Sequence, residues 1–131
     1  MRVRRSQGRF SDIIKPPDPP RYGMMLDAFL DGTLSMDGTE QTLMEYVKVA
    51  RIMGYLDLWN MEAGDVVVVR QYVRIKPETP YRKYDGETYS GPQDPPIVYL
   101  TPKESDYGNK ITVQQTVGDL KSFNYNFIRE K

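Results

Sequence analysis

The sequence predicts an α+β domain behind an extended basic arm: one short and one long helix packed on an antiparallel sheet of about four strands. Three observations lead there. Residues 1–22 are rich in Arg and Pro, and Pro cannot sit inside ordinary helix or a central strand because it removes a backbone donor and fixes φ. Residues 40–60 carry apolar side chains at helical spacing. Beyond Asp65 the pattern changes to period two, in runs rich in Val, Ile, Tyr and Phe. The 131 residues suffice for one domain with a modest core. The chain therefore divides into an arm, residues 1–22, and a single α+β body, residues 23–131.

In the body, residues 24–30 (Met-Met-Leu-Asp-Ala-Phe-Leu) read as the short helix, ended by Asp31-Gly32. A turn follows at 35–39, with Thr39 as the N-cap of the long helix and Glu40 in its first turn, where a carboxylate suits the helix dipole. Along residues 40–60, Leu43, Tyr46, Val47, Ala50, Met53 and Leu58 fall on one stripe. Val49, Ile52 and Leu56 form a second stripe on the opposite side, covered either by the N-terminal segment or by self-association with another copy. Gly64 stops the helical region, and residues 65–76 read as a strand. Its Val66–Val69 run is β-branched on both faces; beyond it Val73 and Ile75 face one way while Arg70, Tyr72, Arg74 and Lys76 face the other. Residues 77–96, rich in Pro, Gly and Tyr, read as a long irregular loop pinned by Tyr81, Tyr84 and Tyr89. A short strand at 97–101 ends at Pro102. Residues 110–117 and 121–129 alternate as a hairpin turning at Gly118-Asp119, with Phe123, Tyr125 and Phe127 on its core face.

Composition narrows the function. The chain has no Cys and no His, which removes disulfides, the favoured zinc ligands and the usual Cys–His or Ser–His–Asp nucleophile systems. Asp27, Asp31, Asp37 and Glu40 lack the spacing of a calcium loop, and turn and capping roles account for them. Neither GxGxxG nor a Walker loop occurs. The expectation is a non-enzymatic protein with no metal and no cofactor. No apolar run approaches the roughly 20 residues that cross a bilayer, and no secretory core follows the basic start. The expected location is cytoplasmic, in a host cell or particle if the chain is viral.

Charge is unevenly placed. The 18 Lys and Arg balance the 18 Asp and Glu, yet residues 1–15 set Arg2, Arg4, Arg5, Arg9 and Lys15 against Asp12 alone. A cationic arm on an acidic body suits an anionic surface, a nucleic acid or a neighbouring copy. On the 65–76 strand, Arg70, Tyr72, Arg74 and Lys76 alternate cations with an aromatic, an arrangement that holds phosphates while stacking a base. Tyr99, or Asn124 and Asn126, could extend that face from a partner strand. Pro19-Pro20-Arg21-Tyr22 matches the PPxY ligand of WW domains, in which a preformed polyproline segment docks between aromatic rings.

The layout of basic arm, PPxY and small body resembles that of matrix proteins of enveloped negative-strand RNA viruses. That resemblance covers residues 1–22. It implies that the basic end contacts membrane or nucleocapsid and that Pro19, Pro20 and Tyr22 recruit a WW-domain ligase. The reading is therefore an assembly subunit, a homo-oligomer making protein–protein contacts through arm, second stripe and Tyr-rich loop. The alternative is a small single-strand nucleic-acid-binding protein.

Overall fold

The computed structural model describes residues 26–130 and shows an all-β molecule. Eight strands, β1 (Leu26–Ser35), β2 (Gln41–Tyr46), β3 (Ile52–Asp57), β4 (Val66–Val73), β5 (Arg82–Ser90), β6 (Ile97–Leu100), β7 (Asn109–Val117) and β8 (Ser122–Glu130), form two four-stranded sheets. The spatial orders are β1-β8-β3-β6 and β2-β7-β4-β5. Antiparallel ladders join β1 to β8, β2 to β7, β3 to β6 and β4 to β5. Folded in half at the β4–β5 turn, the chain is one long hairpin rolled up on itself. Its first strand meets its last, and successive pairs land in alternate sheets. This wiring is the jelly roll, two interleaved Greek keys closed face to face.

Both helices of the α+β expectation are thus corrected to strand. The segment read as the short helix enters β1, and residues 40–60 become β2, a loop and β3. In β3, Ile52, Gly54, Leu56 and, just past the strand, Leu58 alternate as buried residues with Met53, Tyr55, Asp57 and Trp59. That period-two pattern, not the helical one, decides which side chains leave water. Thr39 caps no helix: its N–H and hydroxyl both bond Asp37 Oδ1, at 2.8 and 2.6 Å, closing an Asx turn between β1 and β2. The long loop expected at 77–96 contains β5, an edge strand bearing Arg82, Lys83, Asp85 and Glu87. Charges there discourage edge-to-edge pairing. Gly118-Asp119 does turn, with Gly118 at φ +99°, but it joins strands of opposite sheets instead of a hairpin.

The core lies between the sheets, where Leu56, Val67, Ile111, Val113, Phe123 and Phe127 lose all contact with water. Phe123 and Phe127 occupy the core face, as expected, with Tyr125 packed beside them. Gly54, paired with Phe127 across β3 and β8, has no side chain to keep the ring away. A Cβ built there would stand 2.6 Å from both Cγ and Cε1 of Phe127. Buried Gln115 ties the β7–β8 turn by donating to the carbonyls of Val117 and Asp119 (3.2 and 2.8 Å) and accepting from Lys121 N–H (2.9 Å).

Candidate functional site

The Arg/Tyr/Lys face exists in part. On the outer side of the second sheet, Arg70 stands opposite Thr112 and Tyr72 opposite Lys110, because β4 and β7 pair in that register. Tyr72, Lys110 and Thr112, with Arg74 and Tyr81, border a groove of about 470 Å³ that also reaches Glu40 and Pro80. Its aromatic and cationic groups are stacked on one another. The Arg74 guanidinium sits 4.5 Å from the Tyr81 ring centre, while the Lys110 ammonium lies 4.8 Å from Tyr81 and 5.3 Å from Tyr72.

Two carboxylates bond the groove's tyrosine hydroxyls, and they change its chemistry. Glu40 accepts hydrogen bonds from the hydroxyls of Tyr72 and Thr112 and lies 3.6 Å from the Arg70 guanidinium. Burial pushes its carboxyl up, but those hydroxyls and then Arg70 outweigh that effect and hold it below the usual value. Glu45 accepts from the Tyr81 hydroxyl at 2.7 Å. Burial, reinforced by that carboxylate, pushes the Tyr81 phenol up to about 12. Arg70 spends a further N–H on Gln114 (3.0 Å). Three cations therefore meet two fixed anions, and a phosphate chain would have to displace Glu40 to reach Arg70. Lys76 stands apart, exposed in the β4–β5 turn where its backbone pairs with Thr79.

The remaining sequence expectations separate. Tyr99, Asn124 and Asn126 lie on the other sheet and cannot extend this face. Of the three residues offered for self-association, Ile52 and Leu56 are buried in the core and only Val49, in the β2–β3 loop, is exposed. Leu56 and Ile52 therefore hold the sandwich together and leave no second stripe. Arg2, Arg4, Arg5 and Arg9, with Pro19, Pro20 and Tyr22 of the PPxY motif, lie outside the described residues. Among the described residues no group of three or more metal-ligating side chains forms, and no helix is long and apolar enough to cross a membrane.

Tyr55, Ile97 and Tyr99 are exposed on the outer face of the first sheet, and the other exposed large apolar side chains lie at the two ends of the sandwich. At one end the β1–β2, β3–β4, β5–β6 and β7–β8 connections meet. Met36 N–H bonds Lys121 O, Leu58 N–H bonds Pro96 O and Gly91 N–H bonds Asp65 O. Lys121 clamps this end through Asp65 and Glu62 (2.9 and 3.2 Å). Here Trp59 is 64% exposed and Leu120 54%, and Val117, also exposed, ends β7 at the same end. Val47, Val49, Ile75 and Tyr107 occupy the loops of the opposite end, which Arg74 N–H to Gly108 O and the Arg51–Glu104 ion pair tie together.

The sequence reading missed Glu40, Tyr81 and Lys110 as members of the groove and Glu45 as the partner of Tyr81. Only Lys110 carried a usable signal, since it opens the alternation read at residues 110–117 and faces outward with Thr112. The chain matches no family model, no curated protein and no solved structure.

Proposed function

We propose that the chain is a non-catalytic assembly subunit that joins further copies of itself through the ends of its sandwich. The observation that carries this reading is Trp59, a large aromatic held in water at the same tied loop end as Leu120. Isolated apolar side chains on a surface are ordinary, whereas several at one end are characteristic of contact surfaces, and Trp is enriched where partners bury most of their binding energy. Apolar groups at both ends favour a head-to-tail contact, which closes into a ring or runs on as a filament. Viral capsid subunits, lectins and cupins share the jelly-roll wiring; a fold alone assigns no function, so the support rests on the loop ends.

Sedimentation of the full chain at rising concentration tests the proposal. Species larger than 15.2 kDa are expected to appear, and the pair Trp59→Ser and Leu120→Ser is expected to remove them while leaving thermal unfolding unchanged. A wild-type chain that stays monomeric throughout overturns the reading. Removal of residues 1–22 measures the arm's share: assembly that survives the deletion belongs to the loop ends.

A further inference from the structure

We propose that the outer face of the β1-β8-β3-β6 sheet is a binding platform for a neutral carbohydrate. The strand registers place two side-chain rows across it. Asp31 stands opposite Asn126, Asn126 opposite Tyr55 and Tyr55 opposite Tyr99. The neighbouring row runs Thr33, Asn124, Asp57 and Ile97. Strands lie about 4.8 Å apart, so each row spans roughly 14 Å. Between the rows lies a shallow depression of about 380 Å³.

The chemistry of this face is specific. Tyr55 and Tyr99 are 48% and 55% exposed, with ring centres 5.3 Å apart and planes inclined by 39°. Two tilted phenols offer apolar faces to the C–H side of a sugar ring, while the polar residues beside them match its hydroxyls. Asp31 and Asn126 make no side-chain hydrogen bond or ion pair with any described residue. Asn124 spends its carbonyl oxygen on the Thr33 hydroxyl (2.6 Å) and keeps both amide N–H donors. Asp57 accepts only from Trp59 N–H (3.1 Å) through one oxygen. A carboxylate accepts from two hydroxyls, and an amide both donates and accepts, so acid and amide in adjacent positions suit a pair of neighbouring hydroxyls.

Charge decides against the competing ligands. Neither row contains Lys or Arg, and its two carboxylates repel phosphates, sulfates and acidic sugars. A cationic peptide would satisfy Asp31 and Asp57 but would leave the amide donors of Asn124 and Asn126 facing positive charge. A neutral polyol uses every group present. The face borders the loop end at Trp59, whose N–H bonds Asp57, and lies on the opposite sheet from the groove.

The test is a glycan array carrying neutral and acidic glycans, probed with the full chain. Titration of the best neutral hit, with heparin and an oligo-arginine peptide as charged controls, then gives affinities. Binding to neutral glycans and not to heparin is expected. Tyr55→Ala and Asn126→Ala should each weaken it at least tenfold without changing the thermal midpoint, and Arg70→Ala on the opposite sheet should leave it unchanged. Absence of any neutral hit overturns the proposal, as does binding indifferent to Tyr55→Ala and Asn126→Ala. Preferential binding of oligo-arginine, lost in Asp31→Asn with Asp57→Asn, overturns it in favour of a cationic peptide.

Discussion

Replacing Gly54 by Ala probes a close approach in the core. The new methyl would stand 2.6 Å from two carbons of the Phe127 ring, where relaxed carbon contacts need about 3.5–4.0 Å. The ring must retreat by about 1 Å or more, yet it is fully buried and flanked by Tyr125, whose ring centre is 6.3 Å away. Overpacking of this kind costs about 1–3 kcal/mol. The gain from removing a glycine inside a strand offsets about 0.5–1 kcal/mol of it. At mid-range values a net loss of about 1 kcal/mol remains, which for a domain of this size lowers the thermal midpoint by roughly 3–6 °C. Urea unfolding followed by circular dichroism should show a lower midpoint with unchanged slope. Phe127→Leu alone should also destabilise, through lost ring burial. Combined with Gly54→Ala it should cost less than the two separately, by about 1 kcal/mol, because the shorter side chain yields the space. Strict additivity, or a Gly54→Ala protein as stable as wild type, refutes the steric reasoning.

Three further outcomes follow from the same structure. Gln115→Ala strips the β7–β8 turn of three hydrogen bonds, and unfolding should become easier by about 1–3 kcal/mol; an unchanged urea midpoint would mean water replaces them. Tyr81 should ionise at about 12 in the folded chain, so its contribution to stability is complete below its ordinary 10 and is lost as pH climbs toward 12. Glu45→Gln should bring the Tyr81 phenolate absorbance to lower pH but leave it above 10, because burial is the larger cause; no movement would exclude the carboxylate's role. Glu40 is held below its ordinary 4.5, so it stabilises the fold above that value and ceases to do so as pH falls through the folded-state pKa. The thermal advantage of wild type over Glu40→Gln should therefore shrink in acid, and a pH-independent gap would contradict the assignment.

How much of this was legible in the sequence depends on where the hydrophobic signal was local. β4, β6, β7 and β8 lie within a few residues of their expected positions, because Val66–Val69 and the Phe123/Tyr125/Phe127 alternation bury their apolar faces. Residues 40–60 misled because no Pro or Gly marks the break at Val47–Arg51, so a helical period could be drawn straight through two strands and their loop. Tertiary pairing overrode it: β3 is an inner strand, laddered to both β6 and β8. β5 gave no signal, since an edge strand of charged residues shows no buried alternation. Asp31, Tyr55, Asp57, Asn124 and Asn126 each sit at an outward position, but only the long-range registers of β1, β3 and β8 unite them. Pairing between strands about a hundred residues apart is invisible to any local pattern.

The union of the first and last strands governs how the protein is made. Among the described residues β1 ladders with β8 alone, so during synthesis it waits for that partner until the residues beyond Ser122 leave the ribosome. β3 waits likewise for one of its two neighbours. The hairpin of β4 and β5 is complete long before and is the natural nucleus, with loop-closure entropy delaying the rest. Before β8 emerges every strand of the β2-β7-β4-β5 sheet is already present, while β3 has only β6 beside it and the other sheet stays open.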